Sequence, residues 1–514
     1  MTSSLTTAAP ERFSARQWML LIGCGMGFAI TGADPAVFSA NISLIRADLG
    51  LSGSETGFIA SLATLMLAAT ILGAGVLGDI LGKKQMFIAG AVITLVGEVM
   101  VSLSGSFPVL IVARIVVGVG FAFLLGLSLT IVNSSFTPAQ RPRAIGSYLA
   151  MAFACTAPMP AIASLVATSI GWRTGFLVFA LFALITALLA WAFIDVIPKA
   201  TGRRFDIVGI LLAAVTLVGL VLGISRLQDG INTASLIPLG IGIVGAVGFI
   251  LVERRIDQPA LDLGLFSRGR FNVGVAAGAT FNFMTGGFTL LVSYYLVVVQ
   301  ETSTAILGLL MMPAAIIQAF AAGWAGRLIT KLGSRNALLI GLTTCTVTCL
   351  VFASLGPNAS LWLVLIAFIM LSLSNALTQT PESNLMMSYA PKELGGSIAG
   401  VKSGIGQTFY SLGPVVFMVI ASFFLSTSGA SLPDGVAPDD VRDSLDSTTS
   451  TSSSTGGGGN QVLDPDQVAA ITDGIRDQFA HSLQLTSLVA AIVPITALIL
   501  TLRLLPKRTK TAQD

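Results

Sequence analysis

The sequence predicts an all-α polytopic membrane protein, and three observations carry that prediction. Of 514 residues, 54% are hydrophobic and only 10% are charged, where a soluble domain carries about 25% charge. Mean hydropathy is +0.87. Fourteen separate apolar runs each approach the ~20 residues that a helix needs to cross a bilayer core.

The runs fall at residues 18–41, 57–77, 86–104, 108–132, 144–168, 174–197, 207–225, 236–252, 272–298, 304–326, 336–355, 361–385, 397–425 and 483–505. Basic residues orient them, because Lys and Arg stay on the cytoplasmic side. With both termini in the cytoplasm, that side carries Arg12, Arg16, Lys83, Lys84, Arg141, Arg143, Lys199 and the basic residues that alternate with them to Lys510. The other side keeps Arg46, Arg173, Arg226, Arg442 and Arg476. An odd number of spans would break this alternation. The placement predicts a multi-pass protein of the plasma or inner membrane.

Composition also excludes several classes. A net charge of +3 is too small to suggest a nucleic-acid partner. Cys24, Cys155, Cys345 and Cys349 all lie within apolar runs, which argues against a disulfide framework. Cys345 and Cys349 share a helical face but lack His or acidic neighbours, so no metal site is expected. The first run is too long for the apolar core of a cleaved signal peptide. No phosphate-binding loop of the G-x-x-x-x-G-K-S/T type occurs, and no nucleophile–base set is visible. The chain is expected to be no enzyme and to need no cofactor. Its energy would come from an ion gradient, a substrate gradient or a partner.

Taken in order, the runs carry few charges, and each charge is informative. Asp34 lies in the first run, before Pro35. An intramembrane acid is costly and marks function by default; the alternative is an acid near the outer interface, satisfied by water. Between the second and third runs stands Gly75-Val-Leu-Gly-Asp79-Ile-Leu-Gly82-Lys83-Lys84. Its glycines allow a turn and a close approach of helices. Asp79 can cap a neighbouring helix N-terminus, and the lysines hold the loop in the cytoplasm. Glu98 in the third run and Arg114 in the fourth reach the same outer half as Asp34 at the helical rise of about 1.5 Å per residue. A buried guanidinium needs an acceptor, so the three residues can meet at one depth. The alternative for Glu98 is an interface-facing position.

Several of these stretches resemble one family. Gly75, Leu77, Asp79, Gly82, Lys83 and Lys84 fit the G-x-L-a-D-r-x-G-r-k loop of major facilitator superfamily transporters; Ile80 departs from it. Arg114 with Gly118 and Gly120 resembles the family's fourth-span motif, implicated in proton coupling, with Val117 in place of its glutamine. Asp34 to Asn41 resembles the D-x-T-I-V-N segment of the fourteen-span drug:proton antiporter branch. The fifth run aligns Cys155, Met159, Pro160, Ala163 and Ser164 with the antiporter motif g-x-x-x-G-P-x-x-G-G. Only the proline survives, which puts obligatory antiport in doubt. Gly326 to Arg335 repeats the loop motif, with Thr330 in place of Asp79.

The resemblance implies a major facilitator fold of two six-helix halves. Residues 1–200 form the first and 272–514 the second. Residues 201–271 form a two-helix insert, whose flanks at Arg204 to Gly209 and Glu253 to Phe271 match that branch. It implies an antiporter that exports lipophilic or amphiphilic compounds against protons, as in drug-resistance efflux, acting as a monomer in the lipid bilayer. Asp34, Arg114 and Glu98 are then the proton-coupling candidates. Asn282, Met284, Asn375 and Gln379 would line the substrate cavity. Lys402 would attract an anionic group there, or else snorkel toward the cytoplasm. Other readings are export of an endogenous lipid or anionic metabolite, and a non-transporting receptor or envelope assembly partner. The water-exposed segment 427–482 would serve as connector, lid or docking element. Its stretch 447–460 reads as a disordered tether, and Val468, Ile471, Ile475 and Phe479 predict a short amphipathic helix.

Overall fold

The computed structural model describes residues 13–137, 140–199, 206–227, 230–256, 263–267, 269–302, 304–388, 395–427 and 465–505. The expected tether at 447–460 lies outside the described residues. Among the described residues, thirteen helices are long and apolar enough to cross a membrane. A bent pair, Glu55–Ile71 and Gly73–Leu81, makes a fourteenth span. Each predicted run has its helix, so the chain is a multi-pass membrane protein.

Local chemistry sets the helix ends. The first span, Ala15–Ala40, opens on a capping box in which Ser14 accepts from Gln17 and Gln17 reaches back; Ser52 and Glu55 do the same for the second, Gly53–Leu81. These reciprocal bonds satisfy backbone N–H groups that the first turn leaves open. Gly82 then turns the chain at φ 113° into the third span, Lys83–Ser102. Gly333, its counterpart in the repeated motif, turns at φ 82° near the start of the eleventh span, Lys331–Ala353, just after the tenth, Ile306–Ile329, ends. Any side chain would be strained at such positive φ. The two halves of the sequence therefore make the same turn with the same residue type.

Two elements differ from expectation. The fifth span is broken, with Arg141–Thr156 and Met159–Ile170 meeting at Ala157 and Pro158. Pro158 and Pro160 each remove a backbone donor, which interrupts the hydrogen-bond ladder. The expected short amphipathic helix is instead the start of a continuous helix, Pro465–Ala490, that leads into the last span, Arg476–Leu504. Arg476 anchors it: its Nε donates to the Val299 carbonyl at 2.9 Å and its guanidinium lies 3.5 Å from Glu301.

Packing repeats as the sequence does. The fourth span, Phe107–Ser135, packs on the first, second and third. The twelfth, Leu361–Met386, packs in a similar way on the ninth and on the helical stretch Thr304–Ala353 that carries the tenth and eleventh. Small residues permit the closest approaches, as expected where lipid removes the hydrophobic drive between helices. A Cβ on Gly97 would stand 2.8 Å from the Val117 nitrogen, and one on Gly118 would stand 2.3 Å from the Ala63 carbonyl oxygen. The second and thirteenth spans cross between the two sets, as do the first and ninth and the fifth and tenth.

The seventh and eighth spans, Ile207–Arg226 and Thr233–Glu253, pack on each other through Gly219 and Gly242. The seventh rests on the second and thirteenth. The eighth turns Ile237 and Val244 outward, 61% and 72% exposed, an apolar face suited to lipid.

Candidate functional site

Helix alternation defines two ends of the bundle, one carrying Asn41 and Gly171, the other Gly82 and Lys83. Between mid-depth and the Asn41 end lies a fully buried ion pair. Arg114 Nη1 donates to Asp34 Oδ1 at 3.0 Å and lies 2.9 Å from Oδ2, with both side chains 0% exposed. Asp34 therefore has a partner other than interfacial water. The Phe38 ring lies 4.1 Å under the guanidinium carbon. Phe38 is four residues after Asp34, so both reach Arg114 from one face of the first span.

Glu98 completes the group. It is also wholly buried, close enough for the charges of Asp34 and Arg114 to act on it. An interface-facing position is thereby corrected. Gly97 explains how a third-span residue gets there, because it lets that helix approach the fourth beside Val117. Neither Glu98 oxygen has a hydrogen-bond partner among the described residues, and neither do Arg114 Nε and Nη2. Arg114 thus pairs with one of the two buried acids and still has spare donors.

The turn motif behaves differently from its neighbours. Asp79 lies 3.5 Å from Lys83 Nζ, one turn on. Lys84 Nζ donates to the Trp191 carbonyl at 2.8 Å, tying the turn to the sixth span, Trp172–Phe193. The close approach expected of Gly75 is absent: a Cβ there would meet nothing within 4 Å, and the same holds at Gly326. Gly78 makes the tight contact instead, against Leu127. Contacts between the two helix sets lie deeper or at the other end. Ser293 donates to the Ser39 carbonyl at 2.9 Å, and the hydroxyls of Ser411 and Thr64 are 2.5 Å apart.

In the fifth span Cys155 is half-buried, while Pro160, Ala163 and Ser164 are buried. A Cβ on Gly308 of the tenth span would stand 2.5 Å from the Pro160 carbonyl oxygen. The close crossing that the motif's glycines would have allowed is thus made from the opposite helix.

The cavity candidates divide. Asn282, Asn375 and Gln379 are half-buried, and Asn375 Oδ1 finds no donor. Met284 is corrected: it is fully buried, its sulfur 3.9 Å from Cys349 Sγ, beside a stack of Phe288 on Phe352 at 4.1 Å. It packs the core instead of lining a cavity. Lys402 has protein partners that neither sequence reading supplied. Its ammonium donates to the Ser383 hydroxyl and lies 3.5 Å from Glu382, which is 3% exposed. Glu382 and Phe38 escaped the sequence reading, although the 34/38 spacing was a usable signal.

Comparison with known proteins bears on this geometry. The family model described as "Major Facilitator Superfamily" matches residues 19–414. The multidrug resistance protein Stp of Mycobacterium tuberculosis is 26% identical over 429 residues, 83% of this chain and 80% of that one. The multidrug efflux pump LfrA of Mycolicibacterium smegmatis is 24% identical over 504 residues, 96% and 97% of the two chains. The riboflavin transporter RibZ of Clostridioides difficile is 26% identical over 416 residues, 80% and 88%. Among solved structures, a bacterial homolog of the human lysosomal transporter Spinster, inward-facing and unoccupied, superposes with a TM-score of 0.63 at 15% identity, covering 97% and 100% of the two chains.

Proposed function

This chain belongs to the Major Facilitator Superfamily, and on that premise we propose that it exports lipophilic or amphiphilic compounds in exchange for protons. Proteins similar to it over most of its length are multidrug efflux pumps. The observation that carries the coupling is the Asp34–Arg114 pair with Glu98 unpartnered beside it. A dry interior penalises each uncompensated charge. One guanidinium balances one carboxylate, so the pair of acids holds one proton between them. Arg114 has free donors with which it can exchange one acid for the other. Protonation of Asp34 from the Asn41 end releases Arg114 to Glu98; return of the proton reverses the step. That gives two arrangements, each matched to one protonation state, which is what linkage to transport requires.

In this reading the Lys83 end is cytoplasmic, by the placement of Lys and Arg. Residues 1–200 and 272–514 rock about the insert, and the open space at Gly75 and Gly326 belongs to the inward-open arm. Asp79, Lys83 and Lys84 gate that end when it closes.

The test uses inverted membrane vesicles with an acid interior and two probes of fixed charge, pyrenesulfonate and pyrenylmethyl-trimethylammonium. At least one should accumulate faster than in vesicles lacking the protein, and nigericin should abolish the excess. Uptake of both at the control rate, or uptake indifferent to nigericin, contradicts the proposal.

A further inference from the structure

A further buried acid, Glu382, has no part in the coupling group. It sits on the twelfth span with the Lys402 ammonium 3.5 Å away. Room for its carboxyl is made by the ninth span, Gly269–Val299: a Cβ on Gly278 would stand 2.5 Å from Glu382 Oε1. Ser383, the next residue, accepts from the same ammonium. Three spans thus build a small polar site around one lysine.

We propose that Lys402 is the recognition point for the ionised head of an amphiphilic monoanion, a carboxylate or sulfonate on an apolar body. This rests on the export reading and names its preferred substrate. Exposure decides the sign. The Lys402 side chain is 27% exposed and that of Glu382 is 3%, so an arriving headgroup meets the ammonium and not the acid. A lysine has three donors; Ser383 takes one, and Glu382 Oε2 lies 3.5 Å away without accepting a hydrogen bond, so donors remain for a headgroup. Glu382 stays behind as a resident counter-ion that keeps Lys402 in place when the site is empty. It also limits the charge the site can hold: Lys402 and Glu382 together are neutral, so a bound monoanion leaves one uncompensated charge and a dianion two, at a higher desolvation cost.

The polar surroundings suit such a head with a hydrophobic tail. Asn375, Gln379 and Ser383 follow one another at four-residue spacing on one face of the twelfth span, and the Asn375 carbonyl oxygen is without a donor. Asn282 donates to the Gly278 carbonyl and approaches Gly406 of the thirteenth span. The thirteenth span is one of those that touch the other helix set, so a ligand at Lys402 lies beside the moving boundary.

The experiment is equilibrium binding of pyrenesulfonate and pyrenylmethyl-trimethylammonium to the purified full chain in nanodiscs, read by pyrene fluorescence. Wild-type protein should bind the sulfonate. Lys402→Gln should weaken that binding about tenfold or more, as loss of a charge-assisted contact does, and leave the cation within about twofold. Lys402→Arg should retain the sulfonate, and Glu382→Gln should tighten it. No sulfonate binding by wild type, or equal losses of both probes in a Lys402→Gln protein that elutes as a single folded species, overturns the proposal. Because binding is measured without a pH gradient, that result leaves proton-driven export standing, and failure of export in vesicles leaves this site standing.

Discussion

Arg114 and Asp34 form an ion pair with no solvent exposure at either side chain, eighty positions apart in sequence. A pair of this kind is bound by mutual need more than by net gain, since each charge left alone in the interior is worse than both together.

Truncating either member should therefore cost more than truncating both. Asp34→Ala and Arg114→Ala should each destabilise the purified protein by about 3–5 kcal/mol, and the double variant by much less than the sum. Denaturant unfolding of the three variants gives the cycle. Additive losses would mean that the two side chains do not depend on one another.

The ring beneath the guanidinium is a separate contribution. Phe38→Leu keeps most of the apolar volume but removes the π face 4.1 Å from Arg114. A desolvated contact of this type is worth about 2 kcal/mol. Thermal unfolding should show a loss with Phe38→Leu that disappears when Arg114 is already Met. Equal losses in both backgrounds would assign the effect to packing alone.

The sequence made the spans legible because each apolar run is bounded by charge, Gly or Pro. It also made the depth of Asp34, Glu98 and Arg114 legible, since helical rise fixes depth from the nearest boundary. Rotation about each helix was not legible. Phe38 looked like one more apolar residue, and Met284, chosen for a cavity wall, turned into the core against Cys349. Glu382 was hidden for a further reason: its partner Lys402 is on the next span, and no spacing rule pairs residues across a loop. The last span began earlier than expected because Arg476 is held by Val299 and Glu301, contacts made by a residue far away in the chain.

The open space at Gly75 makes a conformational prediction. Gly75→Ala should fold and melt like wild type, because a Cβ there meets nothing within 4 Å. It should nevertheless slow transport several-fold if closing the Lys83 end brings another helix against it. Transport at the wild-type rate would show that no close approach occurs at Gly75 in any state. Gly82→Ala is the contrasting control, since φ 113° strains any side chain and should lower stability by about 1 kcal/mol or more.

Asp79 should act at the same gate. Asp79→Asn removes the charge that faces Lys83 and should leave membrane insertion intact while reducing efflux. Wild-type efflux rates at matched expression would remove Asp79 from the gate.

Proton movement through the buried group is tested most directly by proton flux in proteoliposomes. A pH-sensitive dye sealed inside reports flux when the better transported of the two pyrene probes is added. Wild-type protein should move protons on probe addition, and Asp34→Asn, still folded and still binding probe, should not. Glu98→Gln should be impaired as well. Normal probe-dependent proton flux in Asp34→Asn would contradict the account and take Asp34 out of the coupling mechanism.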